Sequence, residues 1–280
     1  MIRRSMSPSR ARSFACFLIL FVAAPVARAA DPVSLEGGYR QMYNLDFPAA
    51  HKTFEGWKLA HPDDPMGAVS NAAAYLFSEF DRLHILEVEL FIDNTKFLDR
   101  AQPTPDAGVK NAFDGELSHA DQIADRILSQ TPGDKNAQFA KIMAGGLRSD
   151  YLALIEKRNL ASLTYTKQAR ALAEKLIAED SSYYDAYLAV GVENYLLGLN
   201  SAPVRWLLRL GGAETNKDTG LDKLRITADK GRYLAPFARL LLAVAALRDK
   251  DRQTAKRLLA DLSTEFPRND LYRRELARIQ

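Results

Sequence analysis

The sequence predicts an all-α chain, a right-handed solenoid of antiparallel helix pairs with irregular inserted helices. Three observations point there. Alanine recurs four times with an apolar or small residue four positions on and a helix-stopping residue twelve positions on: Ala50-Phe54-Pro62, Ala120-Ala124-Pro132, Ala169-Ala173-Ser181 and Ala255-Leu259-Pro267. The position seven after each alanine is apolar in all four, as Trp57, Ile127, Leu176 and Leu262. After residue 33, Pro, Gly and Asn/Asp clusters punctuate helical periodicity, and no run of period-two alternation suggests a strand. The four alanines lie 70, 49 and 86 residues apart. Inserted or degenerate helices must therefore separate the matching units. A helix pair cannot bury its apolar stripe alone, so the pairs must stack side by side.

The first 29 residues read as an address. Arg3, Arg4, Arg10 and Arg12 precede an apolar run from Phe14 to Ala24, and Ala27-Arg28-Ala29 offers a small-x-small cleavage site. The run is too short to cross the roughly 30 Å of a bilayer core as a stable helix. The expectation is a signal peptide cleaved near Ala29 and a periplasmic or secreted protein, with an uncleaved anchor as the alternative. Cys16 is the one cysteine and lies inside this segment, which rules out disulfides and thiolate chemistry in the remainder. Residues 30–280 then form a single helical-repeat domain.

The elements follow in order. Ser34–Asn44 and Pro48–Ala60 make a first hairpin, with Gly38 small enough for close approach of the two helices. His61-Pro62-Asp63-Asp64-Pro65 ends it, because proline biases its predecessor away from helical angles. A long helix is expected from Gly67 to about Arg100, then a loop at 102–108. Helices are predicted at about 110–130, 134–158, 160–180 and 184–198, the last capped by Ser181 or Ser182. Gly145-Gly146 and Gly211-Gly212 read as caps or breaks. The stretch 199–218 interrupts the rhythm, and helices resume at about 218–230, 233–248 and 251–265. Asp270–Ile279 reads as a polar capping helix.

Charge removes some functions from consideration. Residues 1–29 hold five arginines and no acid, so the remainder has 33 basic against 35 acidic groups, and the formal +3 becomes −2. That balance gives no footprint for nucleic acid. It is uneven, at +7 for 203–280 and −9 for 30–202. The basic stretch Arg248, Lys250, Arg252, Lys256 and Arg257 is diluted by Asp249 and Asp251 and reads as a solvated face.

Few residues suggest chemistry. The histidines His51, His61, His84 and His119 form no His-Glu-x-x-His pair, and His84 with Glu87 lacks a third ligand. The acids Glu79, Asp81, Glu87, Glu89 and Asp93 read as a solvated face, since their spacing does not match a di-iron bundle. There is no nucleophile elbow, phosphate loop or dinucleotide fingerprint. The expectation is no catalytic residue, no metal, no cofactor and no enzyme.

The alanine-to-stop spacing resembles the tetratricopeptide repeat superfamily across most of residues 34–280. A narrower likeness runs from Tyr184-Asp-Ala-Tyr-Leu-Ala-Val-Gly191 through Tyr195-Leu-Leu-Gly198, Leu207–Gly212, Gly220–Leu224 and Ala228–Gly231 to Glu265-Phe-Pro-Arg-Asn269. It is similar to the C-terminal part of the inclusion-body clearance family of tetratricopeptide proteins and to uncharacterised bacterial relatives. The resemblance implies a binding or scaffolding role, with the first helix of each pair lining a concave face. Counting from the stops puts Asn136, Phe139 and Met143, and then Asp185, Leu188, Val192 and Tyr195, on that face.

The expected partner-binding groove is thus Asn136, Phe139, Asp185, Leu188, Val192 and Tyr195, holding an envelope protein or peptide. The alternative is a carrier of a small apolar ligand or lipid, with Tyr183, Tyr184, Tyr187 and Tyr195 enclosing a pocket between helices. The short segment Pro203–Leu210, with Trp206 between Arg205 and Arg209, reads either as a weak membrane-surface contact or as a buried connector.

Overall fold

The computed structural model describes residue 1 and residues 33–87, 103–198 and 216–279. The expected signal segment, Glu89, Asp93, Gly211-Gly212 and the Trp206 segment fall outside the described residues. Among the described residues there are eleven α-helices and no strand. They are α1 (Leu35–Tyr43), α2 (Phe47–Ala60), α3 (Pro65–Arg82), α4 (Ala107–Gln130), α5 (Lys135–Asp150), α6 (Asn159–Glu179), α7 (Tyr187–Gly198), α8 (Lys217–Lys230), α9 (Ala235–Arg248), α10 (Arg252–Glu265) and α11 (Asp270–Arg278). A π-helical turn, Tyr151–Ile155, extends α5, and a 3-10 turn, Tyr184–Ala186, leads into α7. Each helix packs against the next in sequence, with further contacts between α1 and α3 and between α3 and α5.

The four alanine registers occupy equivalent places. They lie on α2, α4, α6 and α10, which end at Ala60, Gln130, Glu179 and Glu265, ten residues after the alanine each time. Ala50, Ala120, Ala169 and Ala255 are buried, as are Phe54, Ala124, Ala173 and Leu259 four positions on. The loops repeat too. In each, the first residue past the helix donates its N–H to the carbonyl seven after the alanine: His61 to Trp57, Thr131 to Ile127, Asp180 to Leu176 and Phe266 to Leu262. The residue three further on then closes a turn onto that first residue, Asp64 to His61, Asp134 to Thr131, Tyr183 to Asp180 and Asn269 to Phe266.

In three of these loops the closing residue also caps the next helix. Asp64 accepts from Met66 N, Asp134 from Ala137 N and Asn269 from Leu271 N, satisfying amides that a helix start leaves orphaned. The loop at 180–183 differs, because Tyr183 has no such side chain. Neither Ser181 nor Ser182 caps the following turn as expected; Asp180 instead accepts both the N–H and the hydroxyl of Ser182.

Gly38 does permit close approach of α1 and α2. A methyl group there would lie 2.3 Å from the Phe54 ring. Phe54, Phe80 and Phe113 are fully buried, each stabilising the fold by about 1.5–3 kcal/mol.

Several elements depart from expectation. The long helix after Gly67 ends at Arg82, where Leu83 and then His84 at φ 53° turn the chain. Glu79 is not solvated. It is 1% exposed, accepts two hydrogen bonds from Arg82 at 2.6 and 2.8 Å, and accepts the N–H of Asp106 at 2.8 Å. Gly145 and Gly146 lie within α5 and do not end it. α11 buries Leu271, Tyr272 and Glu275 and packs against α10.

The largest departure is long-range. α1 meets the end of the array: the Tyr43 hydroxyl donates to the Tyr233 carbonyl at 3.1 Å, and Asn269 Nδ2 donates to the Tyr43 carbonyl at 2.9 Å. The rings of Tyr39 and Tyr233 lie 5.0 Å apart, and those of Tyr43 and Phe266 5.5 Å apart. The helical array therefore closes on itself.

Candidate functional site

The array frames a partly open cavity of about 590 Å³. Its wall comes chiefly from the first helix of each successive pair: Tyr39 and Met42 of α1, Phe77 of α3, Phe139 and Met143 of α5, Leu188 and Val192 of α7, and Phe237 and Leu240 of α9. The paired helices α2, α4 and α10 contribute none of its described lining, while α6 contributes through its opening turns. Periodicity places the apolar residues. In α5 the stripe Phe139, Met143 and Leu147 recurs every four residues and stays on one helical face.

Five of the six expected groove residues line this cavity: Phe139, Asp185, Leu188, Val192 and Tyr195. Asn136 does not. Its amide donates to Asp64 Oδ1 at 2.8 Å, linking the start of α5 to the cap of α3. The tyrosines divide similarly. Tyr195 lines the cavity, whereas Tyr183 packs its ring 5.9 Å from Phe139, and Tyr184 and Tyr187 receive Lys230 and Lys223 over their faces. The Tyr195 hydroxyl is buried without a hydrogen-bond partner among the described residues, and burial pushes it up to about 12.

Asp185 is the most heavily bonded group on the wall. Its Oδ1 accepts from Leu234 N at 2.8 Å and its Oδ2 from Arg232 N at 2.8 Å, while Tyr233 N lies within 3.3 Å of both oxygens. Those are the amides just before α9, whose own N-cap, Leu234, has no side-chain acceptor. Asp185 therefore caps a helix about 50 residues away in sequence. Desolvation raises its pKa, and the three backbone donors oppose that rise.

Asp150 also lines the cavity, at the end of α5 where the π-turn begins. No donor or cation among the described residues reaches its carboxylate, and desolvation alone pushes it up to about 7. Beside it lies a hydroxyl group cluster: Ser149 Oγ sits 2.9 Å from Ser162 Oγ and 2.6 Å from Thr166 Oγ1. Sequence reading passed over Asp150. The signal was present, because Asp150 stands three residues after Leu147, beside the Phe139-Met143-Leu147-Tyr151 stripe and on the same side of the helix, as an acid next to an apolar row.

Arg248, read from sequence as part of a solvated basic face, also lines the cavity. His84 is exposed, with Nδ1 3.9 Å from Glu87. Among the described residues no three His, Cys, Asp or Glu side chains gather to hold a metal, and no helix is long and apolar enough to cross a membrane. No family model, curated protein or solved structure matches this chain.

Proposed function

We propose that this chain is a non-catalytic carrier of tetratricopeptide type, secreted or periplasmic, whose cavity holds a small, predominantly apolar ligand or lipid. One observation carries the reading: a partly open cavity of about 590 Å³ walled by aromatic and aliphatic side chains. Ligand sites are typically concave, mostly apolar and about 300–1,000 Å³. The first-helix lining and the four equivalent helix ends support the tetratricopeptide assignment. Closure of α1 onto the end of the array favours a small ligand over an extended peptide, because a peptide needs an open groove.

The test is solvent extraction of the purified chain followed by mass analysis. One apolar compound near equimolar amount is expected, and Val192→Trp, which fills the cavity, should lower its recovery while melting stays cooperative. Empty extracts, with no uptake of an alkyl-chain fluorophore, would sink the carrier reading. Crosslinking in intact cells then becomes decisive, and one dominant captured envelope protein would mark the same face as a partner-binding surface.

A further inference from the structure

We infer that the occupant of this cavity carries a cationic head on its apolar body, and that Asp150 is the group that receives the head. This rests on the reading of the cavity as a ligand site. Buried carboxylates elsewhere in the molecule meet donors or cations within the fold, Glu193 the most loosely, with Arg170 at 3.7 Å and one oxygen that accepts no hydrogen bond among the described residues. Glu79 has Arg82 and the Asp106 amide, Asp185 has three amides, and Glu275 has Arg278 at 2.7 Å. Asp150 has no such partner among the described residues. The surrounding cations are engaged by other acids: Arg148 lies 2.5 Å from Asp121, Lys141 2.8 Å from Asp121 and Asp125, and Lys110 2.5 Å from Asp114. From α3, Arg82 is held by Glu79, and from α6, Arg170 by Glu174. Arg248 and Asp185 are the other charged groups on the described wall, and Asp185 is taken up by its three amides.

The placement is specific. An unpaired carboxylate inside an apolar wall is unfavourable, and folds retain such groups where a ligand completes them. A π-turn begins at the next residue, and such bulges concentrate at functional sites. The Ser149, Ser162 and Thr166 hydroxyls, bonded to one another, line the same cavity and begin at the residue next to Asp150, so polar groups accompany the charge on an otherwise apolar wall. The matching chemistry is an amine or quaternary ammonium on a hydrocarbon body: the body excludes water and the cation neutralises Asp150.

The experiment compares dodecylammonium with dodecanol and dodecanoate, all below their micelle concentrations, by calorimetry on the purified chain at pH 8. Dodecylammonium should bind at least about tenfold more tightly than dodecanol, a difference of about 1.4 kcal/mol. Asp150→Asn and Asp150→Leu should both abolish that preference, so that dodecylammonium and dodecanol bind each variant within about twofold of one another. Equal binding of ammonium and alcohol by the natural chain, or a preference that survives both substitutions, would overturn the assignment of Asp150 and leave the cavity reading standing. Binding of none of the three would overturn both.

Discussion

The junction of α7 with α9 and the junction of α5 with α6 each set one aspartate on the wall of the same cavity, and the fold treats the two in opposite ways. Asp185 is surrounded by donors from the start of α9 and holds that helix in place. Asp150 meets none. A place on the cavity wall alone therefore does not define a site; the two differ in burial, Asp185 being buried and Asp150 half-buried, and in whether the fold supplies partners for the charge. The difference makes opposite predictions for removing each acid.

The largest effect should come at Asp185. Asp185→Ala strips the cap from α9 and leaves three amides, of which that of Tyr233 is buried, without their acceptor, each charge-assisted bond being worth about 1.5–3 kcal/mol. Because the three share one carboxylate, their losses do not simply add, and about 3–5 kcal/mol is expected from urea unfolding. Asp185→Asn keeps one acceptor oxygen and should lose less. A change below about 1 kcal/mol would remove Asp185 from the structural side of the comparison.

Next comes Gly231. A methyl group on it would lie 2.6 Å from the Thr227 carbonyl and 2.7 Å from Asp185 Oδ1. Gly231→Ala should cost about 2 kcal/mol as the junction shifts to make room. It should also couple to Asp185→Ala, since the second substitution removes one of the two clashes. Additive costs would show that the two residues act separately.

Asp150 should behave in the reverse sense. Its folded pKa of about 7 lies above the unfolded value of about 3.9, so the folded chain binds the proton more tightly. Stability therefore falls as pH rises from about 4 to about 7, then levels off. Asp150→Asn removes that decline. It should raise stability by about 1–2 kcal/mol at pH 8, with the gain shrinking toward pH 5, as measured by urea unfolding at both values. A stability loss at pH 8 would mean that the carboxylate is answered within the fold after all, and the contrast with Asp185 would vanish.

Legibility in the sequence divided along the same line. The helix ends at Ala60, Gln130, Glu179 and Glu265 were readable because each depends on residues within a dozen positions: a buried alanine, a stop and a turn. On α5 and α7, Phe139, Met143, Leu188, Val192 and Tyr195 came from the count onward from Pro132 and Ser181, and these residues line the cavity. Closure of α1 against Tyr233 and Asn269 was not, because those hydrogen bonds join residues 190 and 226 positions apart. For the same reason Asp185 looked like a polar contact in a groove, although it is a cap for a distant helix. Asn136 looked alike, yet its amide is taken up by Asp64, 72 positions away. Asp150 was visible only as an acid beside an apolar stripe. A stripe shows what one helix face buries, but not whether another helix brings a cation to meet it.

The smallest predicted effect isolates that distinction between local and distant capping. Asp134 and Asp185 both offer carboxylate oxygens to the start of a helix, but Asp134 sits in its own loop and receives the Ala137 N–H at 2.8 Å. Asp134→Ala removes one solvent-accessible cap whose amide water can replace, so about 1 kcal/mol should be lost. The cavity lies away from this loop, so dodecanol binding should not change. If the local cap proved as costly as the distant one, the strength of Asp185 would owe nothing to joining α7 to α9, and capping alone would account for it.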